Sequence, residues 1–500
     1  MPVSFLVYID YDDNGQHTPD EAIQHQIIAM RWRLGLPGPY ENMAQVGEAQ
    51  ITVRNLTRAF SPEVTPFLPG KRIFIYSDDG ITTRRHFTGR ITHVDPLPGT
   101  WDESIATIHC RDLMHDIAQN EVRVPPLINT RANEAIAAVL ARCDLRYPVL
   151  AGHIVLGRPN GKVGNLLFGA PYTPAFQAGK SRFAYVGDTW GEGIAADEAI
   201  QQLATSERGR FYIDREGRAV FLNRHHMLLQ TMPQASFANN MDGMAYTYGE
   251  EILSEIDVSV VPRTVSTTAS LLWSLAQPQR LPRKGTRRII ARYRDANENP
   301  LGALSLANIT FTARATPTGG QDLTPFVNVV VIEAGISAAV LEVSNTSEQE
   351  AYLHTLTLSG MAVATADRLT LQHRNRYNLT VYGKQALYLN LPTLTDIGEA
   401  DQIARYEMVR RQTPRGSVRH IDLNARFHNP QALDRTLFHR IRVSDEQTGH
   451  TGDYFIVAEE HHVERGGYRH RVQWLLEPAD DDRFFIIGRH KLNGTRYPMY

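Results

Sequence analysis

Cysteine is nearly missing from this 500-residue chain. Two thiols, Cys110 and Cys143, exclude a disulfide scaffold and any multi-cysteine zinc module. They read as buried thiols of a chain made in a reducing cytosol. An excess of one charge is missing too: 52 Lys+Arg face 54 Asp+Glu, a formal net charge of −2. A dedicated nucleic-acid binder should carry a basic excess, and this chain has none. No apolar run approaches the ~20 residues of a membrane-spanning helix. The apolar stretch from Val3 to Ile9 follows no basic region and runs straight into Asp10, Asp12 and Asp13, so it does not read as a signal peptide.

Enzyme signatures are equally scarce. There is no Walker A sequence and no Gly-x-Ser-x-Gly elbow. Gly191-Glu192-Gly193 opens like a dinucleotide fingerprint, but Ala196 replaces the third glycine and no βαβ context surrounds it. It reads as the start of a helix. Lysine is the last scarcity: six residues, which leaves 46 arginines. Arginine's planar fork suits interface ion pairs better than lysine's flexible ammonium, although a biased genome composition produces the same skew.

What is present is mostly strand. Gln50-Ile51-Thr52-Val53-Arg54, Arg72 to Tyr76, Phe87 to Val94 and Ser104 to Cys110 alternate with period two between Pro, Gly and Asp punctuation. The length suggests three or four domains at ~100–200 residues each. Thr130 can cap a helix carrying Ile136, Val139, Leu140 and Cys143, and a second helix is expected from Gly193 to Ser206 with Gly209 as its stop. Arg210 to Asp214 and Arg218 to Leu222 flank a turn and form a hairpin. Between 264 and 369 several short strands suggest a sandwich, and a helix from Asp396 to Arg411 precedes a last β block.

That last block repeats the first. Ile51 to Asn55 matches Ile421 to Ala425, Arg72 to Gly80 matches Arg440 to Glu446, and Phe87 to Val94 with Ile105 to Asp112 matches Tyr454 to Val463 with His470 to Glu477. One chain would then hold two copies of a small β domain, and three chains in a ring would present six similar units. Such an object can join a threefold structure to a sixfold one.

Three stretches carry a resemblance. They are Gly47 to Asn55 through Phe87-Thr88-Gly89-Arg90-Ile91 to His109-Cys110-Arg111-Asp112-Leu113; Ser206-Glu207-Arg208-Gly209-Arg210-Phe211 with Asp214-Arg215-Glu216-Gly217-Arg218; and Tyr382-Gly383-Lys384-Gln385 with Pro414-Arg415 and the terminal block. On these the chain resembles the phage tail hub family: contractile-tail baseplate hubs, siphophage tail-tip hubs and the hub portion of type VI secretion spikes. The resemblance implies a mainly β fold with two similar antiparallel β-barrel "tube" domains, an α+β insertion and an inserted β-sandwich. The expected division is 1–118 for the first barrel, 119–244 for the α+β insertion, 245–265 with 370–480 for an interrupted second barrel, 266–369 for the sandwich and 481–500 for a tail. In that division Tyr246-Thr247-Tyr248-Gly249 and Ile256 to Val260 supply early strands of the second barrel.

The function it implies is structural: a homotrimeric, pseudo-sixfold ring at the virion's tail tip or baseplate, synthesised in the host cytoplasm, that joins the hexameric tail tube to the trimeric tip and lines the channel for DNA ejection. Expected partners are a distal tail or tail-tube ring, a tip, spike or fibre protein, the tape-measure protein, and a host surface or neighbour met through 266–369. No enzyme activity, catalytic residue, cofactor, metal or specific nucleic-acid binding is expected. Two alternatives remain. One is a carbohydrate-binding or depolymerising tail-tip protein, for which Trp273 and Tyr293 would line a groove; the other is the hub of a particle that injects protein.

The terminal hairpin gathers Glu459, Glu460, His461, His462, Glu464 and His470. With Gly466-Gly467 as its turn, Glu464 faces Arg469 and His462 faces Arg471 on a charge-complementary surface, solvated or subunit-facing. Glu459, His461 and His470 fall on the opposite face, where convergence as metal ligands has no spacing motif to support it. Arg224-His225-His226 follows a strand and reads as a loop, and Asn378-Leu379-Thr380 as a sequon without a secretory route.

Overall fold

The computed structural model describes residues 3–12, 18–64, 69–97, 104–124, 127–145, 176–188, 190, 193–295, 297–480, 483–485 and 497–498. Alternation becomes strand wherever one face can be buried. In the first block these strands are β1 (Ser4–Asp10), β2 (Ile27–Gly35), β3 (Glu48–Arg54), β4 (Arg72–Asp78), β5 (Thr83–Leu97) and β6 (Ile105–Arg111). In the second they are β7 (Ala235–Ala238), β8 (Gly243–Tyr248), β9 (Gly416–Asn424), β10 (Arg440–Asp445), β11 (His450–Glu464) and β12 (Arg469–Pro478). All twelve belong to one sheet.

The pairing order is the same twice. The first block runs β1-β4-β5-β6-β3-β2, and the second runs β7-β10-β11-β12-β9-β8. Even the irregularity recurs: a register shift falls between Ile91 and His93 on β5 and between Ile456 and Ala458 on β11. Bulges bend a strand at a fixed place, so a shared bulge means a shared curvature. The copies differ at one end, where β1 lies antiparallel to β4 but β7 lies parallel to β10. In neither copy does the last strand pair with the first among the described residues. The two copies are instead joined side by side, β2 against β11.

Two expected placements change. Ile256–Val260 does not enter the second block; it lies within Glu255–Val260, between Leu369–Arg374 and Ala386–Leu391, in a separate three-stranded sheet. Ile256, Val258 and Val260 are fully buried, with the helix Ile397–Arg411 (α2 below) packed against this strand. Such a strand belongs in mid-sheet, paired on both edges. Conversely Ala235–Ala238, expected within the α+β insertion, is a strand of the second block whose one large buried side chain is Phe237.

The α+β part holds Ala132–Leu140, capped at Arg131 one residue after Thr130, and α1 (Ala196–Glu207). Of the loop-rich stretch from Arg146, residues 146–175 lie outside the described residues, as do Gly191 and Glu192. The hairpin Arg210–Ile213/Ala219–Leu222 forms as expected. Helix α2 (Ile397–Arg411) starts at Asp396, whose carboxylate accepts from the Gly398 N–H at 2.7 Å, a regular N-cap. The sandwich buries its own core between a sheet built on Gly302–Thr316 and Ala351–Thr365 and one of Thr286–Arg292, Ala338–Asn345 and Val327–Ala334.

Candidate functional site

At the joint between the two β copies the hairpin of the α+β part meets both of them. Ala29 to Gly35 of β2 pair antiparallel with Glu464 to Ala458 of β11. Gly35 has φ 116°, and a Cβ there would stand 2.4 Å from the Val457 carbonyl oxygen, so only glycine lets the strands approach. Beneath the seam both copies contribute rings. Trp32 stacks on His461 at 4.6 Å, and His461 Nδ1 lies 2.9 Å from His470 Nε2. His86 Nε2 meets Ser77 Oγ at 2.7 Å, and Phe5 packs edge-on against His470. Burial drives all three imidazoles toward the neutral form, helped at His86 by the neighbouring Arg215 charge.

The hairpin turn seals this joint from below. Arg215 Nε and Nη2 donate to the two oxygens of Glu459 at 2.7 and 2.6 Å, a bidentate pair. Its remaining donors reach the Leu433 and Arg435 carbonyls at 2.8 and 2.6 Å. The Arg215 carbonyl in turn accepts from Thr88 Oγ1 of β5 at 2.9 Å. One residue therefore holds both copies. Burial alone would raise the Glu459 carboxyl, but Arg215 and His461 outweigh it and hold it at about 2. Glu459, His461 and His470 do come together, yet both Glu459 oxygens are committed to Arg215, so the trio is a packed ionic core rather than a ligand set.

A second buried network ties α1 and α2 to β12. Helix α1 ends at Arg208, not at Gly209: Arg208 takes the left-handed φ of 57°. That conformation is costly for a side-chain-bearing residue, and here the guanidinium is fixed by Glu407 of α2 at 2.7 Å and by Asn42 at 2.7 Å. Gly209 serves closeness instead, since a Cβ would stand 2.7 Å from the Leu222 carbonyl and the Phe221 ring. Arg210 and Arg410 converge on Glu477 at 3.1 and 2.7 Å, and Arg410 also pairs with Asp480 at 2.8 Å. Arg415 pairs with Asp480 and donates to the Tyr40 hydroxyl, while the Tyr40 N–H donates to Glu477 at 2.7 Å. Burial opposes ionisation of Glu407, Glu477 and Asp480, and the surrounding guanidinium groups overcome it in each.

These residues were legible only as a pattern. Ser206 to Phe211 and Asp214 to Arg218 carried the resemblance, and the structure shows Arg208, Arg210 and Arg215 in them as buried clamps. Glu407 and Glu477, the acidic partners of Arg208 and Arg210, carry no local signal of their own, though the excess of arginine over lysine points to fixed ion pairs. The expected hairpin register holds: Glu464 faces Arg469 and His462 faces Arg471, with the outer face exposed. Arg224 and His225 form the turn expected after the strand, with Arg224 buried against Ser181 and Glu399. Tyr293 is 2% exposed inside the sandwich core and Trp273 is half-buried against it, so the pair lines no groove. Both thiols are raised by burial, Cys143 to about 12.

The arrangement holds shape: its ion pairs and stacked rings are buried contacts between elements, the Ser77–His86 pair among them. No family model matches the chain, and no curated protein matches it. Among solved structures, the tail protein from Neisseria meningitidis MC58 is similar with a TM-score of 0.50 at 8% identity, covering 95% of this chain and 97% of that one. The 43 kDa tail protein of prophage MuSo2 from Shewanella oneidensis gives 0.48 at 11%, covering 96% and 99%. The prophage tail protein gp18 of Listeria monocytogenes EGD-e gives 0.41 at 8%, covering 94% of each.

Proposed function

We propose that this chain, which shares its fold end to end with a tail protein, is the structural hub of a phage tail: three copies form a pseudo-sixfold ring between the tail tube and the tip. The observation that supports this is the repeated strand order with its half-used joint. Within one chain, β2 of the first copy pairs with the far half of β11 in the second. The equivalent elements are β8 and residues 93–97 of β5. Among the described residues, β8 pairs on one edge only, and residues 93–97 pair only with β6. A neighbouring chain's β8 laid on β5 would repeat the in-chain joint, and three repeats would close the ring.

In this reading the two β copies are tube domains, the α+β part braces each in-chain joint, and the sandwich faces a host surface or a neighbour. A tail-tube ring, a tip or spike protein and the tape-measure protein are its partners. DNA passes through the ring, whose wall should be neutral or weakly acidic, because clustered Lys or Arg would grip the phosphates by counterion release.

Matching the bulges and pairings makes Arg31 equivalent to Ala245 and His462 equivalent to Leu97. The test combines light scattering and end-on electron microscopy with the variant Ala245→Cys/Leu97→Cys under mild oxidation. A trimer with a central hole and cross-linked chains up to trimers are expected. A stable monomer that forms no ring overturns the hub reading.

A further inference from the structure

A second cluster, unrelated to the buried joint, sits on the solvent face of the first β copy. His93 and Asp95 are two residues apart on β5, so their side chains share a face, and the register places His93 directly opposite His109 on β6. The two imidazoles stack with ring centres 4.2 Å apart and planes 8° from parallel. Both present Nε2 to the same carboxylate oxygen: Asp95 Oδ2 lies 3.2 Å from His109 Nε2 and 3.8 Å from His93 Nε2. One donor atom from each of the three residues lies within 4.8 Å of the others.

The second ring nitrogen of His93 has a polar neighbour. Thr92 Oγ1 donates to the His109 carbonyl at 3.1 Å and stands 3.0 Å from His93 Nδ1, placed to accept a proton held there. In the tautomer with the proton on Nδ1, that contact leaves the Nε2 lone pair of His93 available to an ion. The bulge between Ile91 and His93 is where Thr92 sits. Metal-bound histidines are held this way, with the second ring nitrogen donating to an outer partner that fixes tautomer and orientation.

We propose that His93, His109 and Asp95 form a binding site for a divalent transition-metal ion of the zinc type. Bonds of about 2.0–2.1 Å to nitrogen and oxygen put neighbouring tetrahedral donors about 3.3–3.4 Å apart; the observed 3.2 and 3.8 Å bracket that edge, and the stacked rings, now 8° from parallel, must tilt so that both in-plane lone pairs reach one ion. Two imidazoles select zinc, cobalt, nickel or copper over magnesium and calcium, which want oxygen. Exposure lets the ion enter and leaves a fourth position to water. Bound metal would staple β5 to β6 beyond the bulge.

The test is calorimetric titration of the chelator-treated full chain with Zn²⁺, repeated with Co²⁺ under visible absorption to read coordination geometry. One ion per chain and a tetrahedral Co²⁺ spectrum are expected, with no heat from Mg²⁺ at the same concentration. His93→Ala and His109→Ala should each abolish that binding, and Thr92→Val should weaken it about 10–100-fold. Circular dichroism checks each fold, and exposed Asp95→Asn supplies a variant with little structural risk that should also lose affinity. No binding at 100 µM Zn²⁺, or unchanged binding in the His93→Ala/His109→Ala double variant, overturns the assignment.

Discussion

Replacing Arg215 by alanine leaves the Glu459 carboxylate buried without its cation, and the cost should be about 3–5 kcal/mol, the range for breaking one side of a buried ion pair. The structure gives the reason. Glu459 has no exposed surface, and both of its oxygens depend on Arg215, at 2.7 and 2.6 Å. Two backbone carbonyls, of Leu433 and Arg435, lose donors at the same time. The Arg215→Met/Glu459→Leu variant removes both charges and should be milder than Arg215→Ala, with a coupling of about 0.5–3 kcal/mol. A chain of several packed units need not unfold in one step, so denaturant curves should be paired with hydrogen exchange across 211–222 and 457–463. The pH dependence has a defined sign. The folded carboxyl is depressed to about 2, so its contribution is complete above ~4.3, the unfolded value, and is lost between there and about 2. The gap between wild type and Arg215→Ala should narrow over that window. A loss below 1 kcal/mol for Arg215→Ala at pH 7, or a double variant no milder than the single, refutes the clamp.

Two further outcomes are expected. Glu464 and Arg469 lie 3.3 Å apart with side chains 35% and 52% exposed, so reversing either charge should cost no more than about 1 kcal/mol and reversing both should cost less; equal costs would mean the two are not partners. Burial depresses the folded pKa of His86, His461 and His470, so their contribution is full above ~6.5 and falls as pH drops below it, because only the unfolded chain then takes up protons. Tryptophan fluorescence, to which Trp32 on His461 contributes with four other tryptophans, should show denaturant midpoints declining from pH 7 to 5, and a flat profile would contradict buried neutral imidazoles.

The strand copies were readable because period-two alternation and turn residues are local signals. Ile51 and Ile421, or Arg72 and Arg440, match by eye and occupy the same sheet positions. Sheet membership is not local: the apolar residues of Ile256–Val260 fit any covered strand, and only pairing on both edges decides. Ala235–Ala238 was missed for the opposite reason, having one large apolar side chain and small neighbours. Arg208–Glu407 and Arg215–Glu459 link residues 199 and 244 positions apart, and even Arg410–Glu477 spans 67, so no local window of sequence contains these pairs. The cross-strand meeting of His93 and His109 hides likewise, since it needs the register to be known.

Why the joint is ionic rather than greasy follows from geometry. If three chains make six units, the angle between copies inside a chain must equal the angle between chains, about 60° each. A purely apolar contact resists separation but lets surfaces slide, whereas bidentate guanidinium–carboxylate pairs fix direction as well as distance. Arg215 is bonded to both copies, and Arg210, Arg410 and Glu477 lock the bracing helices to β12 next to it. Such pairs add little net stability over apolar packing, so their use here is explained by orientation. The Arg215→Met/Glu459→Leu chain separates the two roles: it should fold, yet form rings of irregular size or none. Regular rings from that variant would show that the seam strands alone set the angle.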